Sequence, residues 1–296
     1  IYIFSIETSK MNRSLKLDGG LSTALEGLGL NLNTSLWTGE LLRSNPKAIE
    51  RAHRAFIDAG AEIIITSAYQ ISFSGCKERG WSDSEVTSAL TLSTELAKSA
   101  ADVNAKVAAS VGPYGAALAD GSEYRGRYGV SNSKLREFHE RRLEILISTE
   151  PDYLALETMP DMQEVEVLLD LISEFNANIP FWVSYSCNSN YKTNAGQEFS
   201  EAVELVSSCK DAFAVGINCT APNLINDLLK AGNSKLPYIV YPNAGREWDA
   251  NRKEWSGPTS GSFSPDLIAE WIDSGARIIG GCCGVSPKDI ESINIP

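Results

Sequence analysis

Eight short apolar runs alternate with segments of helical period along most of this chain, and that alternation restricts the folds open to it. Nearly continuous hydrophobic runs are typical of strands buried on both faces of a parallel sheet. The runs lie at 15–19, 62–69, 106–113, 152–159, 180–187, 212–220, 237–244 and 276–284. The helical segments between them lie at 46–60, 82–105, 133–148, 161–175, 200–209, 221–232 and 264–275. No linker breaks the series, which favours closure over an open doubly wound sheet, so the sequence predicts a single-domain (β/α)8 TIM barrel of the α/β class.

The size and charge of the chain agree with this fold and exclude some kinds of partner. A barrel of this class takes about 250 residues, which is most of a 296-residue chain. We assign residues 15–296 to the barrel domain and residues 1–14 to a leader. The net charge of −12 without a basic stripe argues against nucleic acid, and no apolar run is long enough to span a membrane. We therefore expect small-molecule partners only, and a monomer is compatible with these features.

Three of the six cysteines stand where a barrel would place catalytic groups. Six cysteines in this length do not form a disulfide scaffold, so we expect a cytoplasmic protein whose cysteines bind metal or take part in catalysis. Cys219 ends the sixth run, and Cys282 and Cys283 end the eighth. Because the C-terminal ends of all eight strands meet at the active-site mouth of a barrel, we expect these three thiols to converge.

Three convergent thiolates with one open position are a known design for catalytic zinc. Sulfur ligands select zinc over magnesium or calcium, and the glycines at 280, 281 and 284 would let the backbone approach the ion closely. The simpler alternative is that such cysteines are small buried residues with free thiols. Convergence favours metal for the three at the mouth, whereas burial alone is expected for Cys76, Cys187 and Cys209. The two histidines lie in predicted helices and are not expected to be ligands.

A set of motifs in a fixed order carries a family resemblance. They are DGG, SLWTGELL, ITSAYQ, ASVGPYGAALADGSEYRG, LALETMPD, GINCTAP, IVYPNAG and GGCCG. Together they resemble the homocysteine S-methyltransferase family, most closely its S-methylmethionine-using branch, over residues 15–295. The pairing of GINC with GGCC is the most specific part. The resemblance implies that Cys219, Cys282 and Cys283 are the zinc ligands.

The resemblance also implies a reaction, the transfer of a methyl group from a sulfonium donor to homocysteine to give methionine. The nucleophile would be the zinc-bound thiolate of the substrate, with no nucleophile from the protein. Proximity and alignment would supply much of the acceleration. Glu157 and Asp18 are the predicted partners of the homocysteine ammonium. The N–H groups of Gly19 and Gly20, at a helix start, are the predicted donors to its carboxylate.

The remaining site predictions concern the methyl donor and the surroundings of the ligands. Trp37 and Tyr69 are predicted to face the sulfonium, because aromatic faces attract cations that lack a hydrogen-bonding proton. Tyr69 or water would fill the open zinc position in the absence of substrate. Asn218 and Asn243 are predicted to orient the substrate or groups around the ligands. The segment 114–129 is long for a loop of this kind and is predicted to form a lid; a second loop at 243–257 is a weaker candidate.

Other donors and other classes of protein remain open from the residues alone. Betaine-using relatives carry a tyrosine directly after the glutamate, where this chain has Thr158, and a corrinoid route would need a second module. S-Adenosylmethionine remains an alternative donor. A metal-dependent hydrolase is the rival enzyme class, but it would need more histidines. A structural zinc site or a thiol sensor is the rival outside enzymes, and the structural site would require a fourth protein ligand.

Overall fold

Eight of the strands run parallel and form one sheet in the computed structural model. The model describes residues 13–32, 36, 38–101, 103–188, 191–245, 247–249, 254–256 and 263–295. In chain order the strands are β1 (Leu15–Lys16), β2 (Ile63–Ile65), β3 (Lys106–Val111), β4 (Tyr153–Met159), β5 (Phe181–Tyr185), β6 (Ala212–Asn218), β7 (Tyr238–Tyr241), β8 (Glu247–Asp249), β9 (Glu254–Ser256) and β10 (Ala276–Ile279). The parallel sheet has the order β1-β10-β7-β6-β5-β4-β3-β2, while β8 and β9 pair as a separate antiparallel hairpin.

The sheet closes on itself between its first two strands. Leu17, just beyond β1, pairs with Ile63 of β2 in a parallel bridge. The N–H of Asp18 donates to the carbonyl of Ile63 at 3.0 Å, and the N–H of Glu62 donates to the carbonyl of Lys16 at 2.8 Å. The predicted (β/α)8 barrel is therefore confirmed, and the open doubly wound alternative is wrong.

Helices surround the barrel, and local sequence signals explain several of their ends. Pro46, Pro222, Pro265 and Pro287 each stand in the first turn of a helix, where the missing N–H costs nothing. The helices are α1 (Leu21–Gly27), α2 (Thr38–Ser44), α3 (Pro46–Asp58), α4 (Phe73–Lys77), α5 (Asp83–Ala101), α6 (Tyr114–Leu118), α7 (Asn132–Ser148), α8 (Met162–Phe175), α9 (Phe199–Ser207), α10 (Pro222–Gly232), α11 (Pro265–Asp273) and α12 (Pro287–Ser292). Within the described ranges, no helix has both the length and the apolar composition that crossing a membrane requires.

Several strands are shorter than predicted because the chain leaves the sheet to build the mouth. The second apolar run was predicted to extend from 62 to 69, but β2 ends at Ile65. Residues after it turn away, and Ser67 and Tyr69 face a cavity there. Below the mouth, Trp182, Phe213 and Tyr241 fill the barrel interior together with small residues such as Ala108 and Ala155. This packed layer forms a floor beneath the strand ends.

Candidate active site

One cavity of about 110 Å³ lies at the C-terminal ends of the strands. Among the residues predicted for the site, it brings together Asp18, Gly19, Gly20, Tyr69, Glu157, Cys219, Cys282 and Cys283. These residues come from the ends of five strands that are distant in sequence. The barrel mouth is therefore where the predicted groups meet.

The three cysteine sulfurs converge closely enough to share one metal ion. The Sγ of Cys219 lies 2.9 Å from that of Cys282 and 3.5 Å from that of Cys283, and the last two are 3.9 Å apart. Tetrahedral zinc with bonds of about 2.3 Å would hold its sulfur ligands about 3.8 Å apart. Small adjustments would therefore accommodate the ion, and all three thiols are unpaired rather than joined in a disulfide.

The backbone at the ends of β6 and β10 places these thiols. Cys219 adopts a left-handed φ of 48°, a strained conformation for a side-chain-bearing residue of the kind that persists at functional sites. The loop after β10 is held on both sides, since the N–H of Gly281 donates to the carbonyl of Asp18 at 2.9 Å and that of Cys282 to the carbonyl of Pro242 at 2.8 Å. A Cβ on Gly281 would lie 2.2 Å from a methyl carbon of Val285, so only glycine fits there.

The three thiols shift one another's pKa values. Hydrogen bonds from Cys282 and Cys283 hold the pKa of Cys219 well below its usual range. The same interaction with Cys219 raises the pKa values of Cys282 and Cys283 well above theirs. A divalent cation would displace the remaining protons, as thiol ligands require.

Two buried carboxyl groups face the same cavity without a cationic partner. Asp18 is 2 % exposed and accepts the N–H of Ile65 at 2.8 Å; Glu157 is 8 % exposed and accepts the hydroxyl of Ser110 at 2.5 Å. Within the described residues, no ion pair reaches either group. Burial raises the pKa of Glu157 to about 7 and also raises that of Asp18, which has Glu157 as a neighbouring charge. A ligand cation would relieve this cost.

The two glycines after Asp18 line the cavity, but one of them is not a free donor. The N–H of Gly20 donates to the carbonyl of Val285 at 2.9 Å. This bond occupies the N–H group that we predicted to donate to the substrate carboxylate, so that group is already paired in this structure. A Cβ on Gly20 would lie 2.6 Å from the carbonyl oxygen of Cys282. Its role in the structure is to let the start of α1 approach the cysteine loop closely.

The predicted asparagines lie behind the cavity wall rather than on it. The side chain of Asn218 accepts the N–H of Thr158 and donates to its hydroxyl, both at 2.7 Å, and its amide nitrogen lies 4.0 Å from the Sγ of Cys282. Asn243 donates to the carbonyl of Cys219 at 3.4 Å. Neither lines the cavity, so both support wall residues. Trp37, which was predicted to contact the methyl donor, lies outside the described residues.

Comparison with known proteins identifies the group to which this barrel belongs. The family model described as homocysteine S-methyltransferase matches residues 15–295, nearly the whole chain. The chain belongs to the homocysteine S-methyltransferase family. The predicted family and enzyme class, homocysteine S-methyltransferase, are thereby confirmed.

Individual members of the homocysteine S-methyltransferase family agree over nearly the full length. Homocysteine S-methyltransferase 1 of Arabidopsis thaliana is 40% identical over 300 residues, covering 94% of this chain and 91% of the relative. Selenocysteine methyltransferase of Astragalus bisulcatus is 37% identical, covering 95% and 91%. The metallated form of the homocysteine methyltransferase MmuM from Escherichia coli has a TM-score of 0.84 and 34% identity, covering 96% of both chains.

Within this family member, the segment 114–129 supplies a group that the sequence analysis did not single out. Tyr124 lines the cavity, and its hydroxyl lies 3.5 Å from the Sγ of Cys219. Among the described residues, Tyr124 hydrogen-bonds to a cysteine sulfur of the cavity, whereas Tyr69 hydrogen-bonds to Thr158. A tyrosine in a long glycine-rich loop next to the mouth was the available signal. The second predicted lid spans residues 243–257. Its described part includes the hairpin of β8 and β9, and its remaining residues lie outside the described ranges.

Two further residues near the thiols were also missed. Thr158 lines the cavity at a bulge in β4, with a left-handed φ of 59° that its bonds to Asn218 maintain. Glu123 is 3% exposed, and one of its carboxyl oxygens has no hydrogen-bond partner among the described residues. Burial, with the charge of Cys219 adding to it, raises the pKa of Glu123 to about 7. Neither residue type marks a site by sequence alone.

Proposed function

We propose that this enzyme catalyses zinc-dependent transfer of a methyl group from a sulfonium donor to the sulfur of homocysteine, giving methionine. The observation that carries the proposal is the meeting, in one cavity, of three cysteine sulfurs within 3.9 Å of one another and two buried carboxyl groups without a cation. The first set suits a thiophilic metal, and the second suits the ammonium of an amino acid. Homocysteine offers a thiol and an ammonium in one small molecule.

The residues present fit zinc. Three sulfur donors that lie within 4.8 Å of one another select a thiophilic ion over magnesium or calcium. Three protein ligands leave one position of a tetrahedron for the substrate, as in catalytic rather than structural sites. When bound, zinc supplies the positive charge that keeps the homocysteine sulfur deprotonated at neutral pH. Cys219, Cys282 and Cys283 would hold it.

The protein's own groups would bind and orient the substrates. Asp18 and Glu157 would pair with the homocysteine ammonium, and the pair would regain the free energy that burying the carboxylates costs. Two glycine N–H groups were predicted to donate to the carboxylate of homocysteine, and that of Gly19 remains in the proposal. Tyr69 and Tyr124 would provide aromatic faces for the sulfonium. Holding the two substrates in line, with water excluded by the lid, would contribute by proximity and alignment.

The motif pattern supports S-methylmethionine as the donor, with S-adenosylmethionine as the alternative. The motifs resemble those of the S-methylmethionine-using branch, and the chain has Thr158 where betaine-using relatives carry a tyrosine after the glutamate. The same proposal assigns the homocysteine-binding unit to residues 15–296 after a leader at 1–14. It includes small-molecule partners only, and a cytoplasmic location in which free thiols such as these stay reduced.

The test measures zinc content and methionine formation together. With homocysteine and S-methylmethionine, we expect about one zinc per chain and turnover that chelation abolishes and added zinc restores. Substituting S-adenosylmethionine or betaine ranks the donors. Cys219→Ala should lose both zinc and turnover while the barrel stays folded, whereas Cys209→Ala, a half-buried cysteine outside the metal group, should keep both. Turnover by a zinc-free Cys219→Ala protein would refute the proposal.

A further inference from the structure

A buried arginine lies behind the cavity and joins two of the loops that build it. Arg142, on α7, is 0 % exposed. Its guanidinium donates to the carbonyl of Gly112 at 3.0 Å and to the carbonyl of Tyr69 at 3.4 Å. Gly112 follows β3 and Tyr69 follows β2, so one side chain links neighbouring strand ends. A Cβ at Gly112 would lie 2.5 Å from the carbonyl oxygen of Tyr69, which shows how closely the two loops pack.

A buried glutamate beside this arginine holds the start of the lid. Glu164, on α8, is 0 % exposed, and the same carboxyl oxygen accepts the N–H of Tyr114 at 2.5 Å and contacts the Nε2 of His139 at 2.7 Å. Tyr114 begins α6, the first element of the lid. Asp161, at the start of α8, accepts the N–H of Arg127 near the other end of the lid at 2.9 Å. The first turn of α8 therefore ties both ends of the segment that carries Tyr124.

This network is costly to bury, which calls for a reason beyond stability. An arginine, a histidine and a glutamate removed from water lose hydration, and a well-packed apolar core of the same volume is often as stable or more so. The Nε of Arg142 and one oxygen of Glu164 have no hydrogen-bond partner among the described residues. Charged groups can fix the geometry of their hydrogen-bond partners, which apolar groups cannot do. A planar guanidinium, for example, binds two carbonyl oxygens in a set geometry. The oxygens it binds belong to Tyr69, which lines the cavity, and to Gly112, which precedes the segment that carries Tyr124.

We propose that Arg142 is a positioning residue that fixes Tyr69 and the base of the lid, and thereby the aromatic wall against which the methyl donor binds. The proposal rests on the proposed function for the identity of the donor. Arg142 does not line the cavity, so it acts through Tyr69 and Gly112. A displacement of about 1 Å in groups that align two reactants can cost on the order of a hundredfold in rate. Loss of the fork should therefore change donor use more than homocysteine use.

The test compares Arg142→Lys with Arg136→Met. Lysine keeps the charge but presents a single ammonium, which cannot reproduce the planar fork to two carbonyls. Arg136 lies on the same helix in exposed ion pairs with Glu140 and Glu174 and serves as the control. For Arg142→Lys we expect kcat/KM for the sulfonium donor to fall by about tenfold or more, with zinc content and the KM for homocysteine close to wild type. Arg136→Met should leave all three quantities unchanged.

Two kinetic outcomes would overturn the proposal: a folded Arg142→Lys protein with wild-type donor kcat/KM, or an equal loss for both substrates accompanied by loss of zinc. If Arg142→Lys does not fold, Glu164→Gln replaces it, because it keeps the side-chain shape and removes the charge from the acceptor that the Tyr114 N–H and His139 share. Amide hydrogen exchange gives a second readout, which should rise around residues 66–70 and 112–118 in Arg142→Lys. Wild-type protein without turnover on any donor would refute the proposed function, while unchanged exchange at these segments would refute the positioning role.

Discussion

Replacing Glu157 by glutamine should stabilise the metal-free protein while weakening its use of homocysteine. Burial raises the pKa of Glu157 from an ordinary value of 4.5 to about 7. This shift of roughly 2.5 units corresponds to about 3 kcal/mol. Because the pKa is higher in the folded state, the folded protein binds this proton more tightly, and the contribution of Glu157 to stability falls as the pH rises from about 4.5 to about 7. Above that range the whole cost of burying the carboxylate is present.

Glutamine removes this cost, since it is neutral at every pH and keeps a similar shape. At pH 8 we therefore expect the free energy of unfolding of metal-free Glu157→Gln to exceed that of wild type by up to about 3 kcal/mol, and at pH 5 by much less. Urea unfolding at both pH values in the presence of chelator measures the difference. Glu144→Gln, an exposed glutamate on α7, is the control and should leave the unfolding free energy unchanged at both pH values.

The same substitution removes the anion that we propose for the homocysteine ammonium. Truncating one partner of a buried charge pair costs about 2–5 kcal/mol, so the KM for homocysteine should rise by about thirtyfold or more, with zinc content unchanged. If Glu157→Gln were less stable than wild type at pH 8 and its KM for homocysteine were unchanged, the assignment of Glu157 to substrate binding would fail.

Two further predictions concern the metal site itself. Because the pKa of Cys219 is lowered and the pKa values of Cys282 and Cys283 are raised, we expect zinc binding to release about two protons per ion. Calorimetry in buffers of different ionisation enthalpy counts the released protons, and a release of none would contradict the expectation. In Gly281→Ala the added Cβ would lie 2.2 Å from a methyl carbon of Val285. The cysteine loop must therefore shift, and we expect zinc affinity to fall by about tenfold or more. Gly27→Ala, where a Cβ has open space within the same barrel, is the control, and equal zinc affinity in the two variants would disprove the packing argument.

The parts of the fold that could be predicted are those with a local cause. The near-continuous apolar run of β6 and the helical period of α3, with its proline in the first turn, are visible in the sequence without any partner. Strand lengths were less predictable, as β2 shows. Ser67 and Tyr69 continue an apolar run but leave the sheet, because the mouth of the barrel needs them as walls. That requirement arises only once the neighbouring strands are in place.

The site divides in the same way. Some residues could be predicted because each stands at the end of a strand, and all parallel strands of a barrel end at one mouth. They are Cys219, Cys282, Cys283, Asp18 and Glu157. The actual contacts of other residues depended on what packs beside them. The N–H of Gly20 is taken by the carbonyl of Val285, and Asn218 turns to Thr158 instead of to the cavity. Neither partner is near in sequence.

The sequence by itself determined the order of strands and helices, the mouth at which the reactive side chains gather, and the sulfur chemistry of the three cysteines at that mouth. Those properties follow from residue type and period, which are written along the chain. Only the tertiary structure decided that Tyr124 approaches the sulfur of Cys219, that Asp18 and Glu157 are buried with no cation beside them among the described residues, and that Arg142 ties the loops behind them. Hydrogen-bond partners and the cost of burying a charge depend on distances between remote segments, and folding sets those distances.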